Sequence, residues 1–117
     1  MTTLTTRPAA VRKPTLKELE SSLEAHFNRE IRLKCGGRSI KLAPVEKGVP
    51  DRMVLLPGGH IYLVELKAVD GHTSAAQDLW HARAAELGTR VIVLTGRAQV
   101  DRWIAAQANR YNHLFKK

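Results

Sequence analysis

Apolar residues near the start of the chain recur at helical spacing: Leu16, Leu19, Leu23, Phe27 and Ile31. Thr15 stands in the cap position, and Glu18 three residues on completes a capping box. The pattern predicts a helix from about Thr15 to Leu33, stopped by Gly36-Gly37, although the stretch REIRLK also alternates like a strand. Ser39 to Leu42 predicts a short strand, and Pro44 to Pro50 a connector. Two apolar runs follow, Arg52 to Leu56 and His60 to Leu66. The turn signal Pro57-Gly58-Gly59 between them predicts an antiparallel hairpin. Thr73 or Ser74 caps a second helix that runs to Leu87 before Gly88. The β-branched run RVIVLT, Arg90 to Thr95, predicts a central strand. Gly96 releases the chain, and Val100 to about Tyr111 reads as a closing helix with Trp103 on its inner face.

The predicted order is helix, three strands, helix, strand, helix. This is an α/β arrangement, a small mixed sheet flanked by helices, with a right-handed crossover expected through residues 74–87. The glycine fingerprint of a dinucleotide fold is absent. A length of 117 residues suits one domain with one core. Residues 1–13 read as a flexible basic arm and residues 14–117 as the single domain.

The hairpin carries the chemistry. Side chains two apart on a strand share a face, so Ile61, Leu63, Glu65 and Lys67 line one side and Tyr62, Val64 and Leu66 the other. Both sides are largely apolar, as in a covered strand. A register centred on Gly58 sets residue 56 opposite 60 and residue 51 opposite 65. Asp51 and Glu65 then become cross-strand neighbours, roughly 5 Å apart at Cβ. A slip of one residue would send Asp51 to the other face. Two like charges so close call for a cation, and a hard divalent ion such as Mg²⁺ suits carboxylates and water. Lys67 beside it could orient or deprotonate a water, or stabilise a phosphate as charge develops. Two unrelated rim carboxylates with a solvated lysine are the plainer reading.

Two further polar residues lie where apolar ones are expected. At about 100° per residue, Glu20 falls inside the stripe of the first helix, whereas Glu18 and Glu24 sit towards its edges. Gln77 shares a helical face with Trp80, Ala84 and Leu87. Its amide either meets the carboxylates, a water or Lys67, or caps the local backbone. The histidines show no recurrent ligand spacing, which argues against zinc; His72 and His81 are placed near the site without a role. With 19 Lys and Arg against 11 Asp and Glu, the net charge of +8 favours a polyanionic partner. The single Cys35 rules out an intrachain disulfide framework and reads as a buried or half-buried thiol in a reducing compartment. The N-terminal stretch is too polar for a signal peptide or a membrane span.

The ordered set GVPD at 48–51, VELK at 64–67 after a Gly-Gly turn, SAAQ at 74–77 and LGTRVIVL at 87–94 resembles the VRR-NUC family of PD-(D/E)XK nucleases. The resemblance spans roughly residues 15–95 and implies a restriction-endonuclease-like fold. It implies that Asp51 and Glu65 bind Mg²⁺, with Mn²⁺ as a substitute, and that the Leu66 carbonyl supplies a further oxygen. Lys67 would be the catalytic lysine and Gln77 the family's glutamine. Glu20 would be the early-helix acid, reaching the metal through water, and Lys41 a contact to a DNA phosphate. The chain looks like the minimal stand-alone phage or bacterial form. That form implies a homodimer acting on branched DNA such as four-way junctions, in the cytoplasm of a bacterial or phage-infected cell. Trp103, Ile104, Tyr111 and the YNHLFKK tail are candidates for the dimer interface, with core packing as the other reading of Trp103. A flap-, end- or duplex-directed nuclease of the same fold, and a catalytically silent nucleic-acid-binding module, remain alternatives.

Overall fold

The computed structural model describes residues 12–115, with side chains through residue 111. Residues 1–11 of the expected basic arm lie outside the described residues. Of the rest of it, Arg12 pairs with Glu18 at 2.8 Å. The elements are α1 (Leu16–Cys35), β1 (Arg38–Lys41), β2 (Arg52–Leu56), β3 (His60–Lys67), α2 (Ala75–Glu86), β4 (Val91–Thr95) and α3 (Gly96–Phe115). The expected α/β order and mixed sheet are therefore present. The sheet runs β1-β2-β3-β4, antiparallel through the first three strands and parallel between β3 and β4.

Local chemistry explains the boundaries. Both halves of the Thr15–Glu18 capping box are made, and Gly36 closes α1 in the left-handed conformation. α1 thus runs to Cys35, beyond the expected Leu33, and the alternation in REIRLK carries no strand. Gly58 and Gly59 take φ of +88° and +83°, which a side chain would resist, and they fold β3 back onto β2. α3 starts at Gly96 and not at Val100. The Gln99 side chain accepts a hydrogen bond from the Thr95 backbone N–H at 2.8 Å, satisfying a donor at the helix start.

The two sides of the sheet differ in cover. Val54, Leu56, Val64, Leu66 and Leu94 meet Leu23, Phe27 and Ile31 of α1 and Val100, Ile104 and Tyr111 of α3 in one hydrocarbon core. Each such side chain, fully buried, contributes about 1.5–3 kcal/mol. Trp103 packs into this layer, stacked on Phe27 and edge-on to Tyr62. Tyr111 meets Tyr62 through their hydroxyls at 2.7 Å. Ile104 and Tyr111 are accordingly buried in the core, and Trp103 is half-buried against it; the side chains beyond Tyr111 lie outside the description. Cys35 is buried, as expected.

The opposite side is covered by α2 alone, and thinly. Ile61 at the start of β3 is 61% exposed, so that strand is enclosed only in its second half, contrary to the expectation of cover throughout. An open cleft of about 660 Å³ separates α2 from Leu63, flanked by Trp80, Arg83 and Lys47. Among the described residues no helix is long and apolar enough to cross a membrane.

Candidate active site

The β2–β3 ladder pairs Leu56 with His60 and Arg52 with Val64. One step further, at the end of the ladder, the same register brings Asp51 to Glu65. The expected juxtaposition is therefore present. Asp51 Oδ2 accepts a hydrogen bond from the Leu66 N–H at 3.0 Å, which holds its carboxylate beside that of Glu65. Gly48, at φ +88°, lets the connector pass directly over the start of α2; a Cβ there would stand 2.2 Å from the Ala76 carbonyl oxygen. This close approach brings the segment leading to Asp51 against the helix that carries Gln77.

Glu65 is the centre of the group, with 0% exposure. Gln77 Nε2 donates to its Oε2 at 2.9 Å, and Lys67 Nζ lies 3.6 Å from the same oxygen. Gln77 also closes a capping box with Ser74, its Oε1 accepting from the Ser74 N–H at 2.8 Å. The two readings of this amide are both realised, one at each end. His81, one turn further along α2, brings Nε2 to 3.7 Å from Glu65 Oε1. Sequence reading gave His81 no role; the available signal was its four-residue spacing from Gln77 on the same helix face.

Burial, and then the neighbouring Asp51, push the Glu65 carboxyl up to about 8, while Lys67 pulls in the other direction. The Glu65 carboxyl therefore keeps its proton at neutral pH unless a cation replaces it. Burial holds the His81 imidazole below its usual value. Glu65 Oε1 is buried without a hydrogen-bond partner, which leaves its lone pairs available to a ligand. These properties fit a divalent cation held by carboxylate oxygens. Among the described residues, no three His, Cys, Asp or Glu side chains form a ready-made ligand group, so backbone oxygen or water would have to complete the shell.

The remaining expected residues lie apart from this trio. Glu20 is half-buried, and its Oε2 reaches the turn after β3, 3.1 Å from the position of a Cβ on Gly71. Among the described residues no direct hydrogen bond joins it to Asp51, Glu65 or Lys67. Lys41 is exposed at the end of β1, 3.9 Å from Glu24 Oε1. Glu24 also receives Arg52 Nη1 at 3.4 Å, while Arg52 Nε donates to Ser39 at 2.7 Å. This buried arginine next to Asp51 escaped the sequence reading, which took Arg52 as the edge of an apolar run.

No family model matches the chain. It is 46% identical over 76 residues to "Putative nuclease p44" of Acyrthosiphon pisum secondary endosymbiont phage 1, across 64% of this chain and 81% of that protein. A solved VRR_NUC domain shares the fold with a TM-score of 0.65 and 30% identity, covering 74% of this chain and 94% of its own. The matching topology, sequence identity and coverage lead to one assignment: the chain belongs to the VRR_NUC family and has its PD-(D/E)XK-like nuclease fold.

Proposed function

We propose that this protein is a metal-dependent DNA endonuclease that hydrolyses phosphodiester bonds, with a preference for branched DNA such as four-way junctions. The observation that carries this reading is the enclosed Glu65, in contact with Asp51 and 3.6 Å from Lys67. Asp51, Glu65 and the Leu66 carbonyl would hold Mg²⁺ or Mn²⁺, with Glu20 contributing through water. The ion, when bound, supplies positive charge to the phosphate oxygens. Lys67 orients the attacking water and offsets charge on the phosphate as the new P–O bond forms and the ester P–O bond breaks. Gln77 holds the Glu65 carboxylate in one orientation. Lys41, on the exposed end of β1, contacts a neighbouring phosphate, in keeping with the net charge of +8.

Residues 14–117 act as one nuclease domain of the minimal phage or bacterial type, a reading supported by the phage relative. A two-fold dimer would supply the two opposed nicks that resolving a junction requires. The test is a panel of labelled four-way junctions, flaps, ends and duplexes with Mg²⁺, with products mapped on every strand. Symmetric paired cuts in the junction are expected. Lys67→Ala should lose about 10²–10³-fold in rate while retaining DNA binding. Cleavage of flaps or ends alone would replace the branched preference, and unchanged cleavage by Lys67→Ala and Asp51→Ala would remove the site assignment. Retention of DNA without any product would favour a binding module.

A further inference from the structure

Among the described residues, His81 lies at the site without an assigned task. Its side chain is only 16% exposed, and its Nε2 has no hydrogen-bond partner. The atom opposite, Glu65 Oε1, is equally enclosed and equally unpartnered, at 3.7 Å. Buried polar atoms are nearly always satisfied, and a separation of this length is too great for a direct hydrogen bond. Oε2 of the same carboxylate is already taken by Gln77 and Lys67. The orphaned oxygen is thus the one that points away from both and towards the imidazole.

Two facing orphans define a place for something between them. Water fits that place poorly: about 2.8 Å from each atom, it would see them under an angle of roughly 80°, well below tetrahedral. A cation fits better. Donors each about 2.1 Å from one ion lie roughly 3.0 Å apart at a right angle and roughly 3.5 Å apart at the tetrahedral angle. The observed separation needs only a small closure. We infer that His81 Nε2 is a ligand of the divalent cation at this site, sharing it with Glu65 Oε1. Asp51, beside Glu65, and the Leu66 carbonyl supply the oxygen side of the shell once the side chains close on the ion, since Asp51, Glu65 and His81 do not stand as a ready-made ligand group without it. The inference rests on the cation site of the proposed function and adds a nitrogen donor to it. A mixed imidazole and carboxylate set favours Mn²⁺ and later first-row ions over Mg²⁺, which prefers oxygen.

Pulsed electron paramagnetic resonance of the full chain loaded with Mn²⁺ tests this without reference to cleavage. The wild-type spectrum should carry nitrogen modulation from a bound imidazole, and His81→Gln should lose it while still binding Mn²⁺. Mn²⁺ affinity should fall at least about tenfold in that variant, and Mg²⁺ affinity by less than about threefold. Bound Mn²⁺ without nitrogen modulation, or modulation that survives His81→Gln, overturns the inference and leaves the carboxylate site standing. Wild-type protein that binds no Mn²⁺, or binds it equally as Asp51→Asn, sinks the cation site and this inference together. Should His81→Gln fail to fold, His81→Leu takes its place, and its loss of the modulation, together with a move to the ¹⁵N frequency in wild-type protein labelled with ¹⁵N-histidine, decides the matter.

Discussion

The two sides of the sheet follow opposite rules. On the side of α1 and α3, Phe27, Ile31, Val64 and Leu66 are sealed in hydrocarbon. On the side of α2, the same strand offers Glu65 and Lys67, and the helix above them leaves Leu79 53% and Leu87 86% exposed. The period of two along β3 divides these tasks residue by residue. One face supplies the packing that keeps the sheet rigid, and the other can then tolerate a buried carboxylate and a loosely seated helix.

That division is breakable in graded steps. Phe27→Ala on the packed side should cost about 3–5 kcal/mol in urea unfolding, because a fully enclosed ring leaves a cavity. A cost below about 1 kcal/mol would mean that the packed side is no more closed than the other. The second test concerns pH. Glu65 has a folded value of about 8, above its ordinary 4.5, so the folded form binds more protons across that window and stability falls as pH rises. His81 is lowered from 6.5, so its stabilising gain with rising pH ends by that point, and the lowered Glu18 and Glu30 act below 4.5. In chelator, Tm should therefore drop by roughly 5 °C between about pH 6.5 and 8, and Mg²⁺ should flatten the drop. A flat metal-free profile would contradict the carboxylate contact. The smallest effect belongs to α2: Leu79→Ser should change stability by less than about 0.5 kcal/mol, and a larger loss by thermal melting would show that this helix is better packed than its exposure suggests.

Much of this was readable from the chain because the informative features are local. The glycine turn at 58–59 carries the register outward, and counting from it brings Asp51 to Glu65. Thr15 with Glu18, and Ser74 with Gln77, announce two helix starts within four residues each. The unread parts depend on contacts between distant segments. Arg52 looks like a charge on a strand until Glu24 and Ser39 are brought to it. His81 acquires a neighbour only when α2 crosses the sheet. Leu16 and Leu19 fit the helical period, yet both are exposed, because no element among the described residues covers the first turns of α1. The start of α3 was hidden for another reason: Gly96 reads as a stop, while the Gln99 side chain that satisfies the Thr95 N–H lies downstream of it.

Gln77 fastens two things with one amide, the first turn of α2 through its oxygen and the Glu65 carboxylate through its nitrogen. Helix initiation and carboxylate aim are therefore set by one planar amide and cannot drift separately. Extra residues in the loop 68–73 would leave this fastening whole. One residue inserted between Ser74 and Gln77 would turn the amide by about 100° around the helix axis, and the chemistry would fail while the helix survived. Glutamate in its place would preserve the backbone cap and set a third carboxyl group against the other two. The spacing from Ser74 to Gln77 is in this sense a gauge length, a short rigid interval against which the site is cut.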